Sequence, residues 1–185
     1  MGNNPSHFYG NHENPVECIS WNDVQVFLQK LNAVSSRNGF LYRLPTADEW
    51  EYIIRGGPIL KPQRQYDYYF ARSKTDLTAV ASNNLSSTQA NFNPNYRPGS
   101  NKRGPYLEST SVVGNYLPNP LGIYDMHGNV WEWTSTEKGS DRVLCGGSWR
   151  TSGYYYCGAS HRDGRDPGDR DNRLGFRVLA VPVGE

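Results

Sequence analysis

The sequence predicts a mixed α+β fold of low regular content, folded as one domain over residues 1–185. Three observations predict it. Two short stretches carry helical signals. The strand signals are a few short apolar runs. Residues 56–120 show almost no periodicity, yet aromatic side chains are scattered through them, which points to ordered loops rather than an unfolded linker. Hydrophobic content of 36% and a mean hydropathy of -0.74 would by themselves suggest disorder. Aromatics at 13%, with five tryptophans and 13 tyrosines, oppose that, because disordered chains are poor in them. A core of large rings, joined by turns that use 19 glycines and 12 prolines, reconciles the two.

Both helices announce their starts. Ser20 precedes Val24, Phe27, Leu28 and Leu31, an i, i+3, i+4, i+7 stripe, and Asp23 suits the positive end of that helix. Thr46-Ala47-Asp48-Glu49 reads as a capping box ahead of Trp50, Ile53 and Ile54, with Gly56-Gly57 as the stop. Short antiparallel strands are expected at 122–124, 130–134, 143–144 and 176–181. The net charge of +1 argues against a nucleic-acid partner held by bulk charge and against a polybasic membrane anchor. No run of about 18 apolar residues marks a membrane-inserted helix. The first residues, Met1-Gly2-Asn3-Asn4-Pro5, lack a basic-then-apolar leader, so a cytoplasmic location is the default expectation. Three cysteines without a Cys-x-x-Cys spacing suggest neither a disulfide scaffold nor a zinc site, although Cys145 and Cys157 could pair.

Four segments in this order carry a resemblance: Asn14-Pro15-Val16-Glu17-Cys18-Ile19-Ser20-Trp21; Tyr42-Arg43-Leu44-Pro45-Thr46-Ala47-Asp48-Glu49-Trp50-Glu51-Tyr52; Gly122-Ile123-Tyr124-Asp125-Met126-His127-Gly128-Asn129-Val130-Trp131-Glu132-Trp133; and Gly146-Gly147-Ser148-Trp149 with Leu174-Gly175-Phe176-Arg177-Val178. Together they resemble the formylglycine-generating enzyme (sulfatase-modifying factor) family, which implies a C-type-lectin-like fold. The family pattern usually carries some tens of residues ahead of the point where this chain starts. Its enzymes oxidise a sulfatase cysteine with copper held by two cysteines in the pattern Gly-Gly-Ser-aromatic-x-Cys-x-x-x-x-Cys. Here those two positions are Thr151 and Tyr156, with Cys157 one residue late. Hydroxyls do not replace the thiolate pair that copper(I) selects, so no copper and no catalytic residue are expected. The alternative is a formylglycine-generating oxidoreductase or a degenerate relative of one.

The same resemblance implies calcium along 125–132, with Asp125 and Glu132 supplying side-chain oxygens and Gly128 and Val130 supplying carbonyls. The competing reading is that Asp125 caps a turn and Glu132 pairs with an arginine. The family's second calcium site needs an aspartate near 104–107. None stands there, although Asn91 matches an earlier ligand. His7, His12, His127 and His161 are isolated and form no metal motif.

Residues 150–173 differ in character from the rest of the chain. They mix Tyr, Ser, Gly, Arg, Asp and His, a composition close to an antibody paratope. Lys, Glu, Gln, Met and Trp are absent from these 24 residues, though they supply 25 of the other 161. Drawn from that background, such an absence has a chance of roughly 2%, which marks a biased segment. Those five types are the ones an NNY codon cannot encode, the footprint left by randomising the adenines of AAY asparagine codons. In this the chain resembles the variable proteins of diversity-generating retroelements, which implies a bacterial source and a diversified binding surface near the C-terminus. The candidate ligand-binding residues are Arg150, Thr151, Ser152, Tyr154, Tyr155, Tyr156, Ser160, His161, Asp163, Arg165, Asp166, Asp169, Asp171 and Asn172. A protein ligand is favoured over a sugar. The aspartates alternate with arginines, so ion pairing is expected in preference to a further calcium loop. Trp131 and Trp133 are expected in the core.

Overall fold

The computed structural model describes residues 4–35, 39–58, 65–96 and 104–183. Residues 59–64 and 97–103 of the expected central loop, and the first three residues of the chain, lie outside these. Helix α1 spans Trp21–Ser35, strand β1 Phe40–Arg43, helix α2 Ala47–Ile54, strands β2 Tyr68–Ala71 and β3 Ala79–Ser82, then β4 Trp131–Lys138 and β5 Asp141–Cys145. A third helix, α3, is a single turn at Gly153–Tyr156. Strands β6 Asp163–Arg165, β7 Leu174–Phe176 and β8 Leu179–Pro182 complete the chain. The fold is thus α+β with short strands, as the sequence predicts, plus one helical turn more than expected.

Local chemistry sets the two longer helices. Ser20 and Asp23 cap α1 reciprocally: the Asp23 amide donates to Ser20 Oγ at 3.1 Å, and the Ser20 amide donates to Asp23 Oδ2 at 3.0 Å. The α2 box forms as written, with the Glu49 amide on Thr46 Oγ1 at 3.1 Å and the Thr46 amide on Glu49 Oε2 at 2.8 Å. Arg43 clamps the same Glu49 carboxylate with a two-pronged bridge at 2.7 and 2.6 Å. Gly56 and Gly57, at φ 86° and 95°, end the helix where a side chain would be strained.

The central sheet has the order β6-β5-β4-β7. Strands β4 and β5 form an antiparallel hairpin, while β7 lies parallel to β4 through Trp131–Leu174, Glu132–Gly175 and Trp133–Phe176. Two antiparallel pairs flank it, β1 with β8 and β2 with β3. Helix α1 packs Val24 and Leu28 against Trp133, Leu144 and Leu174, and α2 buries Trp50 and Ile54 with Val143 and Cys145. A third cluster, Tyr68, Phe70, Leu85, Ala90, Phe92 and Cys157, sits under α3. Burial of these rings is the main stabilising term of a chain otherwise poor in aliphatics.

Residues 122–124 form no strand. Asn119 captures them instead: its Oδ1 accepts from the amides of Leu121 and Ile123, and its own amide donates to the Ile123 carbonyl at 2.8 Å. A side chain that satisfies the local backbone removes the need for a strand partner. No helix among the described residues is long and apolar enough to cross a membrane.

Candidate functional site

The segment 150–173 runs from the end of the Gly-Gly-Ser-Trp turn, through α3 and β6, to the start of β7. The scaffold holds it by its main chain. The Asn93 amide donates to the Thr151 carbonyl at 3.0 Å. The Tyr68 hydroxyl reaches the carbonyls of Gly153 and Tyr154 at 3.0 and 3.1 Å. The Ala159 amide donates to Asp67, and the carbonyls of Pro167, Asp171 and Arg173 accept from the amides of Asn22, Cys18 and Trp131. Trp149 Nε1 donates to the Asn172 carbonyl at 3.1 Å. Strand β6 adds its ladder to β5.

His127 is a further buried holder. The Tyr69 amide donates to its Nε2 at 3.1 Å, so the ring proton is on Nδ1 and points to the Cys157 carbonyl at 2.7 Å. Burial drives its pKa down to about 4, so the ring is neutral near pH 7. Gly153 begins α3 directly on the Phe92 ring, where a Cβ would come within 2.5 Å of a ring carbon.

The side chains of the segment sort differently. All fourteen nominated residues keep some exposure, and Gly153, Cys157, Gly158 and Ala159 are the ones turned inward. Tyr154 and Tyr155 are 57% and 64% exposed. Arg150, Thr151, Ser152, Tyr156, Asp163 and Arg165 converge on one cleft of about 410 Å³, whose remaining walls are Trp131 and Arg173. His161 stands behind it, 5.1 to 5.8 Å from the rings of Tyr155, Tyr156 and Trp131. Burial lowers its pKa. Ser160, Asp166, Asp169, Asp171 and Asn172 lie outside the cleft. Asp166 caps its own turn at the Gly168 amide, and Asp171 holds Arg173 at 2.6 Å. Arg165 faces Asp169 at 3.7 Å. Sequence reasoning missed Arg173 and gave Trp131 to the core alone. Its ring is 4% exposed, yet it forms the cleft floor. Two arginines of the segment that were not nominated, Arg162 and Arg170, are scaffold ties to Glu51 and Asp23.

The two positions that hold copper-binding cysteines in the resembled enzymes do other work here. Thr151 Oγ1 accepts from the Ser148 amide at 2.8 Å and donates to the Ser148 carbonyl at 3.0 Å. Tyr156 is a cleft wall. Cys157 does not substitute for either. Its sulfur is buried under Gly147, and burial pushes the thiol up to about 12, away from the thiolate that a metal needs. Cys145 is likewise buried and pushed up to about 12, and all three cysteines are free.

The side-chain donors nominated for calcium do not fit a hard dication. Glu132 is 4% exposed, and Arg177 occupies both of its oxygens at 2.5 and 2.6 Å, with Trp50 Nε1 adding a bond at 2.6 Å. A calcium ion would have to displace a half-buried guanidinium from both carboxylate oxygens. Asp125, at φ 57°, caps a turn through the Gly114 amide at 2.7 Å, and burial raises its pKa toward the neutral acid. Its Oδ1 is the one uncommitted side-chain oxygen of the nominated set. Asn91 donates its side-chain amide to Ser109 and Asn129, and its buried Oδ1 has no partner. No cluster of three or more His, Cys, Asp or Glu occurs among the described residues.

The chain matches the Sulfatase-modifying factor enzyme 1-like domain over residues 1–181. It belongs to that family. It is 32% identical over 178 residues to the inactive C-alpha-formylglycine-generating enzyme 2 of Bos taurus, covering 91% of this chain and 50% of the relative. It is 30% identical over 185 residues to the formylglycine-generating enzyme of Mus musculus, covering 90% and 44%. The chain therefore spans about half the length of these relatives. Among solved structures it is similar to Treponema denticola variable protein 1, with a TM-score of 0.68 and 25% identity over 98% of this chain and 78% of the other. The membership places this family domain on a fold whose C-terminal segment forms the cleft described above.

Proposed function

We propose that this family member is a non-catalytic binding protein that displays residues 150–173 as a diversified surface for a protein ligand. One observation carries the reading: the scaffold grips the segment chiefly through amides and carbonyls, which every residue type except proline supplies in full. Side chains on such a support can change without loss of the support. The biased composition of the segment is what codon-level randomisation of adenines would leave. The likeness to a protein named as variable, and to a relative named as inactive, fits the same reading. The exposed tyrosines and the arginine-lined cleft, floored by a tryptophan, are the residue types that dominate protein–protein hot spots. Catalysis through a copper thiolate pair is not expected, since Thr151 and Tyr156 stand at the two ligand positions.

The DNA around the coding sequence tests the diversified surface. The expected finding is a reverse transcriptase gene and a near-copy of the segment's coding sequence that differs at adenines. Absence of both contradicts it. Tight copper(I) binding, with oxygen consumption in the presence of a cysteine-containing peptide, would contradict the non-catalytic part.

A further inference from the structure

The cleft under α3 has a charge that the segment as a whole does not. Three guanidinium groups line it, from Arg150, Arg165 and Arg173, against one carboxylate, Asp163. Arg150 is exposed and pairs with no acid among the described residues. Arg165 meets Asp169 at 3.7 Å with both side chains well exposed, a contact worth little against water, and its charge also helps to hold the Asp171 pKa down. Arg173 is balanced by Asp171 at 2.6 Å, just outside the cleft. Asp163 is partly spent on its own Gly164 amide at 2.8 Å. The two segment arginines that could have been equally free, Arg162 and Arg170, are tied to α2 and α1. What remains is a surplus of about one positive charge beside an angled aromatic wall of Trp131 and Tyr156, whose rings stand edge-to-face at 6.0 Å. His161 stands behind them, where burial lowers its pKa.

We propose that this cleft is a carboxylate subsite: it takes a single Asp or Glu side chain of the protein ligand, flanked by an apolar or aromatic residue. The inference rests on the reading that the segment binds a protein. A monoanion matches the surplus charge, whereas a phosphate dianion would face Asp163 and Asp171 with too little positive charge to balance them. Arginine forks bind carboxylates through two parallel hydrogen bonds, so Arg150 and Arg165 supply geometry as well as charge. The adjacent rings exclude water from that ion pair and give the neighbouring apolar residue a surface. Recognition of this kind is salt-dependent at the rim and specific at the floor.

The test uses the full chain, labelled with nitrogen-15, and three defined probes: acetyl-Glu-Phe-amide, acetyl-Gln-Phe-amide and inorganic phosphate. The Trp131 indole N–H and the Arg150 and Arg165 side-chain N–H resonances are followed by NMR. The expected result is saturable shifts at these groups with the glutamate probe and at least fivefold weaker binding of the glutamine probe. The Arg150→Gln plus Arg165→Gln chain should lose about tenfold in affinity for the glutamate probe. Arg170→Gln, outside the cleft, should leave it unchanged. Equal binding of the two peptides at these residues overturns the carboxylate proposal while leaving the binding surface intact. Tighter binding of phosphate overturns the choice of carboxylate. Shifts confined to other faces, or none with either peptide, overturn the subsite, and the wider reading then stands or falls on its DNA test.

Discussion

The four-stranded sheet and the segment 150–173 are held by opposite means. In the sheet, side chains do the holding: Trp50, Trp133 and Leu144 are fully enclosed, and Glu132 is locked by Arg177 and Trp50. In the segment, the main chain does most of it, through Tyr68, His127, Asn93, Asp67 and Trp149, with Arg162 and Arg170 as side-chain ties, while most other side chains face solvent or a cleft. The lesson is that one polypeptide can be intolerant of substitution in one half and tolerant in the other without being loosely folded in either. Order and side-chain identity are separable when the ordering bonds belong to the backbone.

The largest expected effect breaks the scaffold side of that comparison. Glu132→Ala takes the partner from the half-buried Arg177 guanidinium and from Trp50 Nε1 and should cost about 3 kcal/mol, read from urea unfolding. Trp133→Ala, which removes a fully buried ring, should cost a similar about 3–5 kcal/mol. A loss below 1 kcal/mol in either would mean that the sheet is not the rigid half.

An intermediate effect acts on the grip itself. Tyr68→Phe removes only the hydroxyl shared by the Gly153 and Tyr154 carbonyls and should cost about 1–2 kcal/mol. Hydrogen exchange should speed up in α3 more than in β4. The pH dependence probes the same support. The folded-state pKa of His127, about 4, lies below its ordinary value of 6.5. On acidification the unfolded chain therefore takes up the proton first. The contribution is complete above pH 6.5 and falls away as pH drops toward about 4, where the folded state also protonates. Urea unfolding from pH 7 to 4 should show this decline, and His127→Phe should remove that part of the slope. A slope unchanged by the variant would mean that the histidine is not the titrating support.

The smallest expected effect is that of calcium. With Glu132 committed to Arg177, addition of millimolar calcium or of a chelator should shift Tm by less than about 1 °C, because a site that binds nothing in the folded state adds no linkage term. A rise of several degrees would restore calcium to the 125–132 loop.

Much of the scaffold was legible from sequence because its signals are local. The capping residues Ser20 and Thr46 and the spacing of Val24, Phe27 and Leu28 act within a turn or two of helix. Strand β2 was not legible. Tyr68-Tyr69-Phe70-Ala71 is buried on both faces and so shows no alternation, and its partner β3 lies beyond a turn of ordinary composition. The candidate segment was legible as a stretch of unusual composition but not in its shape. Its small residues Gly153, Cys157, Gly158 and Ala159, absent from the candidate binding residues, are the ones turned inward. Nothing in the run of alternating Arg and Asp distinguishes Arg162 and Arg170, which reach α2 and α1, from Arg150 and Arg165, which face the cleft. That distinction depends on which helix lies across from each, and only the tertiary fold supplies it. Trp131 was hidden for a related reason: a floor residue is a core residue on all sides but one.

The most direct test of the account is to change the exposed side chains of the segment together and measure stability. A chain carrying Arg150→Ser, Tyr154→Ser, Tyr155→Ser and Ser160→Tyr should keep its urea slope and lie within about 1.5 kcal/mol of the parent, since exposed substitutions that leave the main-chain bonds in place each cost little. A loss above about 3 kcal/mol, or a changed slope, would show that side chains rather than the backbone hold the segment, and would contradict the central claim.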